Sequence, residues 1–529
     1  MTSPSDRLMI LGLDGATFSV LDPMRQRGLM PNLDALLGRS AHGTLRSTIP
    51  PVTTAAWTTF MTGVSPWRHG VFDHRYYHAE TQQMKVNHSG RCRVPTFWHL
   101  ASDAGRSVVS LNLPGTFPPL KVRGVVVSGM DAPHLEAATS DCPEFARKLR
   151  QEVPDYSLRY FWKRVPESLD ELVSNARLTA ESFLGRAGGG ILADREVPDW
   201  SVLMVQFQNL DPFQHRCWRF LNVDETGIEQ KEWNRAAEIV IKGLDDAIGR
   251  LCELADRRGS AILAASDHGF GPCLGRISVN RILMDAGLAR PLGLGGKLAR
   301  RFSVGLEKMR TGAMKRDDPK ARSASFASSV AANLPLNWSK TVAFAPHQDT
   351  AAMIYLNSNQ RHAGGPLTTP RQIDDARTQA TQVLSEALHP ETGVRLFPRI
   401  VPLAEVAGVD PASEGYPDLI ALPDEAYWVR TKLTSGTSWV EPDENLPGTH
   451  RPEGVVSLCG PGVSPGRNLD ANLVDIAPTV LAYLGLGLPG HLEGTPLACL
   501  PHSVRRRTDA ASPAIPAPHE SHSGFEYTH

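Results

Sequence analysis

Leu8-Met-Ile-Leu-Gly-Leu13-Asp14-Gly15 reads as a short, wholly apolar run that ends abruptly in a carboxylate and a glycine. Such a run is the signature of a parallel strand buried on both faces, and in open α/β sheets the chemistry collects at the carboxyl ends of the strands. Asp14 is therefore a candidate site residue. The same pattern returns twice. Ser201-Val-Leu-Met-Val-Gln-Phe leads into Asp211, with His215 four residues on, so a turn of helix would face both side chains one way. Ser260-Ala-Ile-Leu-Ala-Ala-Ser leads into Asp267-His268-Gly269, where the glycine permits an irregular turn on which neighbouring side chains can converge.

Between the first two strands lies Thr48-Ile-Pro-Pro-Val-Thr53-Thr-Ala-Ala-Trp57-Thr-Thr-Phe-Met-Thr62-Gly63. The prolines stop any preceding element and Thr53 opens a run of helix formers, which predicts a loop-to-helix junction with the Thr53 hydroxyl at the N-cap. A helix N-terminus favours both an ionised hydroxyl and an incoming phosphate, so Thr53 is read either as a simple cap or as a nucleophile. His69 and His74 follow in a turn-rich stretch, where an imidazole either fixes the turn or reaches the site. Later, His450 sits in Gly448-Thr-His-Arg-Pro-Glu-Gly just before another apolar strand.

Elsewhere the chain reads as follows. Val108–Asn112 and Val125–Val127 are expected as strands, 134–195 as helical, and 472–485 as an amphipathic helix closed by Gly485. Thr341–Ala345, Ala352–Leu356 and Asp418–Leu422 are expected as strands, with a helix from Pro370 to about Leu388. The expected division is a catalytic core over 1–290, an inserted lid lobe over 291–428, a last part of the core over 429–501, and a disordered tail over 502–529. Lys297 to Arg322 is rich in Lys and Arg among Gly, Ser and Ala, and reads as a solvated loop or as a basic lid over an anionic substrate.

With 529 residues, 41% of them hydrophobic, and a formal charge of -1, composition gives no electrostatic reason to expect a nucleic acid polymer or a membrane surface. No apolar run is long enough to span a bilayer, and the N-terminus lacks the features of a signal peptide, so a cytoplasmic location is expected. The seven cysteines are scattered without a CxxC pair, which argues against a disulfide framework and against a thiolate zinc site.

LGLDG, PPVTTAAWTTFMTG, SPWRHGVFDH, DPFQH, SDHGFG, GTHRPEG and DIAPTVLAYLG together resemble, in order, the alkaline phosphatase superfamily, and most closely its type I phosphodiesterase / nucleotide pyrophosphatase branch. The resemblance implies an alkaline-phosphatase-like α/β core, with a mainly parallel sheet flanked by helices and a smaller inserted lobe. It implies that Asp14, Asp267 and His268 hold one divalent cation together with Thr53, and that Asp211, His215 and His450 hold a second. Imidazole and carboxylate ligands suit zinc, with manganese the alternative. Thr53 is then the nucleophile of a hydrolase acting on phosphodiester or pyrophosphate bonds of a small, nucleotide-like substrate.

Two departures stand out. The family usually follows its nucleophile with an aromatic residue, Pro and Asn, where this chain has Thr54, Ala55 and Ala56. It also ends the His-Gly stretch on a phosphate-binding Asn, whose place is taken here by His74. Thr54 and His74 are accordingly the expected substrate-binding residues. A phosphomonoesterase or cofactor-independent phosphomutase on the same core, and a metal-binding relative without turnover, are the alternative readings. A sulfatase lacks support because the formylglycine motif is absent.

Overall fold

The computed structural model describes residues 7–158, 161–221, 228–292, 334, 336–347, 349–431, 438–466 and 468–500. The basic stretch 297–322 and the tail 502–529 lie outside the described residues. Two compact units emerge: one comprises residues up to His74, His88–Cys273 and the chain from Glu444, and the other Arg75–Asn87 with Leu274–Asp443. The second unit thus contains the 291–428 segment together with its flanks.

The first unit is built on an eight-stranded sheet. Its strands, with two others in this unit, are β1 (Leu8–Leu13), β2 (Ala41–Arg46), β3 (Ser107–Leu113), β4 (Gly124–Ser128), β5 (Trp200–Phe207), β6 (Ala261–Ala265), β7 (Gly269–Pro272), β8 (Gly448–Arg451), β9 (Glu453–Cys459) and β10 (Asn468–Asn472). The sheet order is β10-β2-β9-β6-β1-β5-β3-β4. β1 runs parallel to both β5 and β6, whereas β9 is antiparallel to β6 and to β2. Every residue of β1, β5 and β6 is buried, as expected of strands covered on both faces.

The period-2 alternation of β1 feeds two cores. Met9, Leu11 and Leu13 enter one, shared with the helices Leu169–Glu196 and Ile228–Arg258. Leu8 and Ile10 enter the other, shared with the helices Thr53–Thr62 and Ile476–Tyr483. The helices that bear on the site and its two cores are α1 (Thr53–Thr62), α2 (Leu169–Glu196), α3 (Leu210–Cys217), α4 (Ile228–Arg258) and α5 (Ile476–Tyr483). α5 departs from the amphipathic pattern expected: all eight of its residues are buried, because it packs within the second core against α1. Gly485 still takes the left-handed turn just beyond it, at φ 68°.

α1 corrects a second expectation. Its N-cap is Val52, in extended conformation and without a side-chain cap, and Thr53 is the first helical residue. The Thr53 hydroxyl is therefore not spent on the helix terminus. Gly63 closes α1 at φ 68°, a left-handed position that suits glycine.

The second unit has a four-stranded antiparallel sheet, ordered Ala343–Phe344, Ala352–Leu356, Leu419–Leu422 and Arg399–Pro402. The helix Pro370–Glu386 starts with a capping box of Thr369 and Gln372 and packs on this sheet. Arg361 and Asp418 form a buried ion pair at 2.9 Å.

Candidate active site

Strand direction explains how residues more than four hundred positions apart reach one place. Asp14 follows β1, Asp211 opens α3 just after β5, and Asp267 and His268 follow β6, so all four leave the carboxyl edge of three adjacent parallel strands. β9 runs the other way, so the residues before it lie at that same edge. There β8 pairs with β7 and sets His450 opposite Phe270. β2 is antiparallel to β9 and hence aligned with β6, which brings Thr53 off the same edge.

The side chains converge accordingly. Asp211 Oδ1 lies 3.0 Å from His450 Nε2 and 3.5 Å from His215 Nε2, and the two Nε2 atoms are 3.0 Å apart. His268 Nε2 lies 3.3 Å from Asp267 Oδ2, 3.8 Å from Asp14 Oδ1 and 4.0 Å from Asp211 Oδ1. Thr53 Oγ1 is 3.3 Å from the same His268 Nε2. Two groups, Asp211-His215-His450 and Asp14-Asp211-His268, have ligand atoms close enough to share an ion, with Asp211 common to both.

Backbone carbonyls set the tautomers. His215, His268 and His450 turn Nδ1 to the carbonyls of Gly448, Gly269 and Pro51, at 2.9, 3.1 and 2.8 Å. A carbonyl can only accept, so Nδ1 carries the proton and each neutral ring presents its Nε2 lone pair to the centre. Gln206 Nε2 and Trp57 Nε1 donate to Asp14 Oδ2 at 2.6 and 3.0 Å, and the Gly15 N–H donates to Asp267 Oδ1 at 3.1 Å. Each carboxylate is thereby left with one buried oxygen, Asp14 Oδ1 and Asp267 Oδ2, that has no hydrogen-bond partner. Gly12 makes room for this arrangement: a Cβ there would stand 2.8 Å from Met204 Cε and 3.0 Å from the Trp57 ring.

The electrostatics ask for positive charge. Burial, reinforced by Asp267 and Asp211, pushes the Asp14 carboxyl well above its usual range. Burial likewise pushes Asp267 up to about 8, against the opposing Gly15 N–H. His215 is pushed down to about 4 by burial, and His268 is held well below its ordinary value by burial and by His450. Burial acts upward on Asp211 too, but protons held on the Nε2 atoms of His215, His450 and His268 in the absence of metal outweigh it and hold that carboxyl low. Facing lone pairs and orphaned carboxylate oxygens in a buried pocket fit divalent cations, and the N/O donor set suits zinc or manganese.

The two turn histidines divide. His69 is fully buried, accepts from the Val71 N–H at 3.2 Å and meets Thr59 Oγ1 at 3.0 Å, so it fixes the turn. His74 instead hydrogen-bonds through Nδ1 with the Thr54 hydroxyl, one residue from Thr53. Sequence reading missed Trp57 and Gln206. The signal for Gln206 was present: it is a long polar side chain inside a strand whose other polar residue is the small Ser201.

The fold is alkaline-phosphatase-like, a large and mostly parallel sheet flanked by helices, and is shared with its structural neighbours. More narrowly, the chain belongs to the type I phosphodiesterase / nucleotide pyrophosphatase family, whose profile matches residues 8–452. Phosphonoacetate hydrolase from Sinorhizobium meliloti 1021, solved in complex with phosphonoformate, superposes with a TM-score of 0.53 at 16% identity, covering 90% of this chain and 95% of its own. Human ectonucleotide pyrophosphatase / phosphodiesterase 5 superposes with a TM-score of 0.51 at 12% identity, covering 92% and 97%. Its murine counterpart, as an inactive variant in complex with AMP, gives 0.50 at 12% identity, covering 92% and 96%. No curated protein matches the sequence. Family membership supports phosphoester hydrolysis of the phosphodiesterase and pyrophosphatase type. Among the described residues no helix is long and apolar enough to cross a membrane.

Proposed function

We propose that the chain hydrolyses phosphodiester or pyrophosphate bonds of a small nucleotide-like substrate, with Thr53 as the nucleophile. One observation carries this reading: the Thr53 hydroxyl, free of any capping duty, lies 3.3 Å from His268 Nε2 among carboxylates with orphaned oxygens. Asp14, Asp267 and His268 would hold one cation beside Thr53, and Asp211, His215 and His450 the other. Two such cations, zinc or manganese, would lower the pKa of the nucleophile and neutralise the transferring phosphoryl group.

Thr53 Oγ gives its proton to solvent and attacks phosphorus, forming a P–O bond as the leaving-group oxygen departs with its electron pair and takes up a proton from solvent. Water then attacks the phosphothreonine, losing a proton to solvent, and Thr53 Oγ leaves with its electron pair and takes up a proton, which regenerates the hydroxyl. At the N-terminus of α1 the first N–H groups have no intrahelical acceptor and favour the anionic phosphate. His74, held by Thr54, would donate to a non-bridging oxygen in place of the family's amide. That titratable donor is also the observation favouring the second reading, a phosphomonoesterase, whose substrate offers one more charged oxygen. Mass spectrometry of protein quenched during turnover tests the proposal. A phosphoryl or nucleotidyl group on Thr53 is expected, and turnover without any covalent adduct would contradict it.

A further inference from the structure

Arg186 takes no part in the reaction as proposed, yet its side chain is among the most deeply buried in the first unit, at 1% exposure in the middle of α2. A buried guanidinium is costly unless its donors are met. Here α2 is shaped to meet them. A Cβ on Gly185 would lie 2.4 Å from the Asp155 carbonyl oxygen, and one on Gly189 2.7 Å from the Tyr156 ring, so these glycines let the segment 155–157 lie against the helix. Ser157 then offers its carbonyl to Arg186 Nη2 at 3.3 Å.

Asn112, in the left-handed region at φ 68°, faces Arg186 and the Tyr156 hydroxyl with its amide; the orientation that satisfies both puts the oxygen 2.8 Å from Nε and 3.0 Å from Nη2 and the nitrogen at the hydroxyl. Nη1 meets both oxygens of Gln206, the carbonyl at 2.9 Å and the side-chain Oε1 at 3.5 Å. All these acceptors are neutral. The Gln206 amide is thus oriented with its oxygen toward the cation and its N–H toward Asp14 Oδ2, 2.6 Å away. Trp57 takes the same Oδ2, and only Oδ1 of Asp14 remains open.

We infer that Arg186 is a positioning residue which, through the Gln206 amide, holds Asp14 as a one-oxygen metal ligand. The inference rests on the two-cation reading above. Arg186 orients the amide, the amide occupies Oδ2, and Oδ1 is aimed at the centre. Burial lowers the Arg186 pKa to about 10, which leaves it charged at neutral pH.

The test is competition between the metal-free protein and a chelator for Zn2+, read as stoichiometry and affinity. Wild-type protein and Asp14→Ala come first: if the wild type takes up no Zn2+, the two-cation reading itself fails. Given two bound ions, one of them lost in Asp14→Ala, the variants Arg186→Met, Gln206→Met and the double variant decide the inference. Each single change is expected to weaken the Asp14 ion roughly 10–100-fold, the range for groups that orient metal ligands, and to leave the other ion unchanged. The double variant is expected to be no weaker than the weaker single one, because the two act in series. Arg186→Lys should restore little, since an ammonium cannot make the forked contacts. A lowered melting temperature of Arg186→Met with unchanged Zn2+ affinity would mark a purely structural role and overturn the inference, as would losses that multiply in the double variant. Should Arg186→Met not fold, Gln206→Met decides: unchanged affinity there overturns the proposal.

Discussion

The Nε2 atoms of His215 and His450 face each other at 3.0 Å while both rings give their Nδ1 protons to backbone carbonyls. Two lone pairs so placed, with Asp211 Oδ1 beside them, repel unless a metal cation or a proton lies between.

Chelation should therefore destabilise the protein in a pH-dependent way. Without metal, the folded state keeps a proton on Asp267 up to about 8, while the unfolded carboxyl loses it near 3.8. A raised carboxyl pKa adds stability that is lost as pH rises through the folded value. His215 and His268 are lowered, so they cost stability only below their ordinary 6.5. Between 6.5 and about 8 the carboxylates dominate. The melting temperature of chelator-treated protein should fall across that window, and added Zn2+ should restore more at its upper end. A flat profile would contradict the carboxylate account.

Thr53→Ala should abolish turnover while fold and metal content stay nearly intact. The hydroxyl caps nothing, so the expected stability change is within about 1 kcal/mol, the scale of a lost cap. Residual activity within roughly tenfold of the parent would show that water attacks directly, given the millionfold and larger accelerations common in enzymes.

His74→Ala should lower the diester rate roughly 10²-fold, the scale on which single oxyanion donors act. His74→Asn should recover part of it. Monoester turnover should suffer less, because the third charged oxygen already faces the proposed cations. An unchanged diester-to-monoester ratio, with both rates as in the parent, would mean that His74 does not face the phosphate and serves only Thr54.

Asp418→Ala should destabilise the second unit by about 3–5 kcal/mol, since it leaves the buried guanidinium of Arg361 without its carboxylate. Differential scanning calorimetry checks this. A melting profile that does not move would show that Arg361 is satisfied by its remaining contacts, the Leu356 carbonyl and the Tyr355 ring.

The sequence by itself determined the α/β class, because β1, β5 and β6 are apolar on both faces and each is followed by a carboxylate. It also placed Asp211 and His215 on one side of a helical turn, since their spacing alone sets that. What it misjudged was set by packing. Thr53 reads as a cap from local propensity, yet Val52 takes that position and the hydroxyl turns to His268. α5 reads as amphipathic, yet the second core surrounds it. His450 reaches Asp211, as the family resemblance implied, because β9 runs against β6, a strand direction that no local pattern encodes. Trp57 and Gln206 as partners of Asp14, and Arg186 as a partner of Gln206, were invisible for the same reason: hydrogen bonds between separate segments exist only once the sheet is assembled.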